Sequence, residues 1–396
     1  MVGYNPHGFL KMKENNMRST SLISSIRGNA NTTVLIENGL GRAWRVLTGG
    51  EVTSLGSSGI RDVQLGYNHG AVLYQDGRVA TWGTNEDGQC GNGKFETDSG
   101  FAVTNLSNIV SVSCGTHFTA ALDTDGVLWC AGSNTFGQFG NGTTTATAPR
   151  SKQGNAVFTP TEVPGAVKVT AGSHHVFVTL DDGAVLFAGS NAQHAAGLTR
   201  KELSTSGFVA HRFMLCGVND VEMHTAHNRS LAVSKDGSVL HAGDCRDAPG
   251  ITIPQDMHFH HNDSWTVAEG LTVSQICMDQ SSDVIALDTN GNVLVSGRSQ
   301  RKFGKPIYNN YHLCQLGVTA EQVALTSAGS FIKKDGVWYS SASKDVNLAL
   351  SCRDETSELL GYGRMAHPED WGLANQMSAL GLTWSDAVLA LEALAS

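Results

Sequence analysis

The run Ile109–Gly142, IVSVSCGTHFTAALDTDGVLWCAGSNTFGQFGNG, decides the fold. It reads as a hydrophobic strand, a tight turn at Asp125-Gly126, and a further strand that runs into Gly132. Alternate residues of a strand point to opposite faces, so the apolar ones can pack on a neighbouring layer. An Asp-Gly pair between two such strands predicts a type I′ hairpin, with φ positive at both central residues.

Two neighbours align with this run: Asp62–Gly93 (DVQLGYNHGAVLYQDGRVATWGTNEDGQCGNG) and Ala166–Leu198 (AVKVTAGSHHVFVTLDDGAVLFAGSNAQHAAGL). Their turns are Asp76-Gly77 and Asp182-Gly183. Fainter copies follow at Asp236-Gly237, Asn290-Gly291 and Asp335-Gly336, and an earlier one stands at Asn38-Gly39. The seven turn glycines are 38, 49, 57, 54, 54 and 45 residues apart, by subtraction along the chain. That period suits one four-stranded blade per unit of a β-propeller. Other positions keep step with the turn. Gly28, Gly66, Gly115 and Gly172 stand eleven residues before it, and Gly83, Gly132, Gly189, Gly243 and Gly297 six after. These glycines predict close backbone approach where strands converge near the central channel.

The predicted fold is all-β, a seven-bladed propeller over residues 25–342, with an N-terminal arm over 1–24 and a C-terminal tail over 343–396. Six blades follow instead if the first hairpin is not a blade.

The string from Val112 to Gly140, with Trp82-Gly83-Thr84-Asn85 and Gly88-Gln89-Cys90-Gly91, resembles the repeat of the regulator of chromosome condensation family. The likeness is strong over 62–198 and fades over 218–342, where Ala226, Gln280 and Leu325 replace the early glycine. It implies a seven-bladed propeller that binds other macromolecules, among them a small GTPase whose nucleotide exchange it promotes.

Composition narrows the function. Forty-five glycines against 8 prolines indicate many tight turns in a folded chain. A net charge of −9 argues against nucleic acid as a partner, because phosphate neutralisation needs a basic surface. Lys11, Lys13 and Arg18 read as a solvated basic arm. No window is long and apolar enough for a membrane helix, and the first residues lack the apolar core of an export signal. The eight scattered cysteines, without a C-x-x-C pair, read as buried thiols folded under reducing conditions.

The segments 141–165, 198–217, 244–270 and 298–319 read as variable connectors, where a propeller usually carries its binding surface. Beyond Ser341 the hairpin pattern stops. Pro368 with Glu369 and Asp370 marks one helix start, and Thr383-Trp384-Ser385-Asp386 another. Val388, Leu391 and Leu394 share a face of the second helix. With Trp371 and Trp384 they form the expected partner-binding set.

Chemistry is scarce. His258, His260, His261 and Asp263 have the residue types of a metal site but no second ligand group at a familiar spacing. His69 and His175 occupy a repeat position that Phe118, Arg229, Asp283 and Ala328 take elsewhere, which marks it as structural. Gly137–Gly142 is glycine-rich but lacks the Lys-Ser/Thr ending of a phosphate loop. The expectation is a non-enzymatic protein with no cofactor and no metal. Few charges and abundant Gly, Ala, Ser, Thr and Asn point to a bacteriophage virion component on the tail, collar or capsid surface. Its partners would be other virion subunits or itself, assembled in the host cytoplasm. The alternatives are an intracellular adaptor or exchange factor, and a host-surface or glycan-binding module.

Overall fold

A computed structural model describes residues 23–341 and the pair 363–364, apart from 30, 38, 48–50, 146–153, 200–201, 204–207, 228, 245–260, 280–282 and 298–309. The strands form seven sequential four-stranded blades: 25–56, 60–103, 109–162, 166–219, 221–272, 273–319 and 322–364. Blades 5 and 6 share the long strand His261–Met278, whose first part pairs back to Ser238–Asp244 and whose second pairs forward to Val284–Asp288. Gly270, at φ +73, lies on this strand shortly before the handover. The first hairpin is a true blade, so the ring has seven.

Each predicted turn lies between the second and third strands of its blade. The turn type differs from the expectation. Positive φ occurs at Gly77, Gly126, Gly183, Gly237 and Gly291 but not at the residue before them. In each, the glycine N–H donates to the residue three back, such as Gly77 to the Tyr74 carbonyl at 3.0 Å. These are three-residue loops, a type I turn followed by a left-handed glycine. Asp76, Asp182 and Asp236 accept from the backbone amide two residues on, Asp182 from Ala184 at 2.9 Å, whereas the Asp125 turn is held by Asp123, which accepts from the Asp125 and Val127 amides. Only Asp335-Gly336, at φ +51 and +74, has both residues left-handed. In blade 1 the glycine in this role is Gly41 rather than Gly39. Its carbonyl accepts from the Ile60 amide at 2.9 Å, as that of Gly77 does from Ile109 at 3.0 Å.

The core lies between blades. Val34, Ile36 and Ala43 of blade 1 pack on Ile60, Val63 and Trp82 of blade 2, and similar clusters join each later pair up to blades 6 and 7. A single four-stranded sheet cannot bury both of its faces, so each blade depends on its neighbours. At the seam between blades 7 and 1, the buried Trp338 indole donates to the Ile23 carbonyl at 2.9 Å. Ile23 thus ties the start of the propeller to its last blade.

The C-terminal boundary moves. Gly363–Arg364 pairs with Tyr339 and Ser340 as the outer strand of blade 7, so the segment beyond 342 returns to the propeller. The expected helices, with Trp371, Trp384, Val388, Leu391 and Leu394, lie outside the described residues.

Candidate partner-binding face

The strand order gives the ring two different faces. The hairpin face carries the seven turns and most blade-to-blade links. Its exposed side chains are largely acidic, including Asp76, Asp125, Asp182, Asp220, Asp236 and Asp335. Arg78 and Lys235 on the same face are already paired, with Asp76 at 2.7 Å and Asp220 at 2.6 Å.

The opposite, loop face carries the links from first to second strand and from third to fourth. The segments read as connectors overlap the outer strands Asn155–Glu162, Val209–Asn219, His261–Met278 and Asn310–Thr319. An outer strand packs on one side only and tolerates residues such as Pro160, so its sequence lacks the alternation that marks inner strands. Several exposed apolar residues belong to these edges. Val103, Leu215 and Val267 sit opposite Ala80, Leu186 and Leu240, at one register position on three blades.

Three compact loops build the loop face. Asn85, Asn134 and Asn191 are buried at the foot of each. Each side chain accepts from the amide five residues on, at Cys90, Phe139 and Ala196, at 2.8–2.9 Å. Each also donates to a more distant carbonyl, at Lys94, Thr143 and Leu198. The loops then cap the next blade. A Cβ at Gly91, Gly140 or Gly197 would overlap Phe158, Phe213 or Trp265 on the following outer strand. The repeat asparagine and glycine were visible in sequence; their aromatic partners carried no repeat signal.

The glycines six after the turn are bulge residues. Gly83, Gly132, Gly189 and Gly243 take φ +92 to +109, and register shifts occur at each where the third strand meets the fourth. At these glycines the close approach lies within the blade, where a Cβ on Gly132 would lie 2.3 Å from the His117 carbonyl oxygen; at the inner-strand glycines it runs between blades as expected, a Cβ on Gly66 lying 2.4 Å from the Gly115 carbonyl oxygen.

At the rim of the channel, His117, His174 and His227 stand on the first loops of blades 3, 4 and 5. His117 lies 3.2 Å from the Asp87 carboxylate. His174 packs edge-on to Phe136 at 5.1 Å and to His227 at 5.7 Å. Burial, then the neighbouring His227 and His117, push the His174 pKa down to about 4. It is uncharged at neutral pH. Tyr67, exposed, stands on the corresponding first loop of blade 2.

His69 and His175 are interior posts. Their Nε2 atoms meet the Thr119 and Thr225 hydroxyls of the next blade at 3.0 and 2.7 Å. Burial lowers their pKa values to about 4 and about 3. His258 and His260 lie outside the described residues. His261 and Asp263 fall on an outer strand. Among the described residues no group of three or more His, Cys, Asp or Glu is placed to hold a metal ion. Cys90, Cys114, Cys130 and Cys216 are buried and Cys277 is half-buried, and none of these five forms a disulfide.

The sequence matches two profiles of the Regulator of chromosome condensation (RCC1) repeat, one over residues 60–89 and 109–138 and the other over 76–122 and 125–179. The chain carries regulator of chromosome condensation repeats. Solved propellers with this repeat share its architecture. Yeast RCC1 (Prp20), bound to Kap60, superposes with a TM-score of 0.62 at 14% identity, over 77% of this chain and 78% of that one. Prp20p from Saccharomyces cerevisiae, studied for its binding to Gsp1p and histones, gives 0.61 at 15% over 78% and 81%. Human WBSCR16 gives 0.59 at 17% over 77% and 84%. At such identities the likeness is one of fold. No curated protein matches the chain in sequence. The profiles stop at 179, where the sequence loses the repeat's Gly-Gln-x-Gly loop, although the blades continue.

Proposed function

We propose that this propeller is a non-enzymatic docking protein that holds a protein partner on its loop face. The observation that carries the reading is the contrast between the faces. The hairpin face is acidic and would repel phosphate backbones and anionic lipid. The loop face presents Tyr67, Phe136, His117, His174 and His227, which suits a polar protein surface.

The finer reading is a bacteriophage virion component on the tail, collar or capsid surface, assembled in the host cytoplasm. Its support is compositional: many small and hydroxyl residues, few charges, and repeats that decay along the chain. Density-gradient particles from the native host, probed for this chain by quantitative mass spectrometry, should hold it at a fixed copy number. Its absence from washed particles would remove the virion reading.

A second reading, an exchange factor for a small GTPase, is favoured by the fold shared with Prp20p. Stimulated release of labelled nucleotide from such a GTPase would support it. Substituting His117, His174 and Tyr67 together by Ala should abolish docking under either reading. Unchanged binding by a folded triple variant would place the partner elsewhere.

A further inference from the structure

The innermost strands share one register. Arg27, Gln64, Ser113, Thr170, His224 and Cys277 pair with Val34, Ala71, Ala120, Phe177, Leu231 and Ile285. Each partner lies two residues beyond the carbonyl that closes its blade's first loop, at Thr32, His69, Phe118, His175, Arg229 and Asp283. The six residues therefore stand at one level around the central channel, with the buried Leu325 of blade 7 completing the ring. Arg27 is the only permanent charge at that level.

The next level toward the hairpin face is internally satisfied. Lys168 meets Glu222 at 2.9 Å. Asp62 accepts from the Gln64 side chain at 2.7 Å and from the Val63 amide at 2.9 Å. Gln275 both donates to and accepts from the Val323 backbone at 2.9 Å. Arg27 is different. Its side chain is exposed on an innermost strand.

Its charge nonetheless acts on Glu222, His224 and Cys277. Those residues belong to blades 5 and 6, and blade 7 separates them from blade 1. Arg27 itself is exposed on the strand that borders the channel, at the register level the ring shares. Thr170 and His224 stand at the same level on blades 4 and 5.

We propose that the central channel binds a small oxyanion, a carboxylate or phosphate group, on Arg27, with Thr170 and His224 as neutral hydrogen-bond donors. A guanidinium presents paired N–H donors that match either anion. His224 is uncharged at neutral pH, its pKa held near 4 by burial first and then by Lys168 and Arg27, against the opposing pull of Glu222. It can donate one N–H without adding charge. An anion on Arg27 would offset that cation and raise the His224 midpoint.

The test uses the full chain and two probes, inorganic phosphate and acetate, followed by NMR at the His224 imidazole. Saturable shifts with either probe, and an upward move of the His224 titration, are expected; the probe that saturates names the anion. Arg27→Gln should weaken binding about tenfold or more. Arg27→Lys, which keeps the charge without the fork, should fall between. Arg78→Gln, on the hairpin face, should leave binding unchanged. No saturable shift with either probe, or equal shifts in wild type and a folded Arg27→Gln, would overturn the proposal.

Discussion

Blades 2 to 4 and blades 5 to 7 follow the same strand plan but differ in the sequence that joins third strand to fourth. In the first arc a buried asparagine pins a compact loop, and a loop glycine slides under an aromatic of the next blade. In the second arc the third strands end at Asp244, Gly297 and Ser340, and the sequence holds Cys245, Ser299 and Lys344 where the asparagine stands in the first. The hairpins and the apolar contacts between blades persist in both. The propeller plan is therefore carried by turns and inter-blade packing, and among the described residues the loop stitching is seen in blades 2 to 4.

If packing carries the ring, the largest loss should come at the seam where the arcs close. Trp338 is buried there and its indole holds the Ile23 carbonyl. Trp338→Ala should cost about 4 kcal/mol by cavity formation and the lost hydrogen bond. Trp265, half-buried over the Gly197 loop, should cost about half as much on the same change. Chemical denaturation of the two variants checks this. A costlier Trp265→Ala would make the stitched loops, not the seam, the ring's main support.

Acid should also tell neighbouring blades apart. His69 and His175 are buried, with folded pKa values below that of a free imidazole. As pH falls, the unfolded chain takes up these protons first. The stability they contribute is complete above about pH 6.5 and is lost progressively toward about pH 4, by up to about 3 kcal/mol for each. Blade 3 carries Phe118 at this position and escapes the effect. A His69→Phe, His175→Phe double variant should flatten the dependence of Tm on pH between 7 and 4. An unchanged slope would mean that other imidazoles, His174, His224 or His241, dominate.

Much of this contrast was legible in the sequence, because Asp-Gly turns and alternating strands are local signals. Local errors were small: Gly41 serves where Gly39 was expected, and the residues before the turn glycines in blades 2 to 6 keep ordinary backbone. The outer strands were hidden inside apparent connectors, since an edge strand needs only one packed side. The partners of the loop glycines, Phe158, Phe213 and Trp265, were invisible because each belongs to the next blade. The Arg27 level was hidden for the same reason in stronger form. It exists only when seven registers are superimposed, and its members lie up to 298 residues apart, from Arg27 to Leu325. The five residues chosen for partner binding gained nothing from the structure, as all lie outside the described residues.

The stitching itself can be measured at Asn134. Its side chain is fully buried, accepts from Phe139 and donates to Thr143. Asn134→Ala leaves both backbone groups without their partner and should cost about 2 kcal/mol. Protease cleavage between 135 and 145 should speed up in parallel. Faster cleavage with unchanged global stability would show that the loop opens alone, which would separate stitching from ring stability altogether.

The smallest effect distinguishes the two kinds of turn. Asp182 is right-handed and accepts the Ala184 amide. Asp335 sits at φ +51, a left-handed backbone that costs a non-glycine residue about 1 kcal/mol. Glycine removes that cost but makes the unfolded chain more flexible, a penalty of similar size. Asp335→Gly should therefore leave stability within about 0.5 kcal/mol of wild type. Asp182→Gly relieves no strain, loses a hydrogen bond and still bears the flexibility penalty, so it should cost about 1 kcal/mol. Paired urea titrations resolve a difference of that size. Equal costs at both sites would mean that Asp335 gains something from its position that offsets its strained backbone, and the two turns would then be equivalent in energy despite their different geometry.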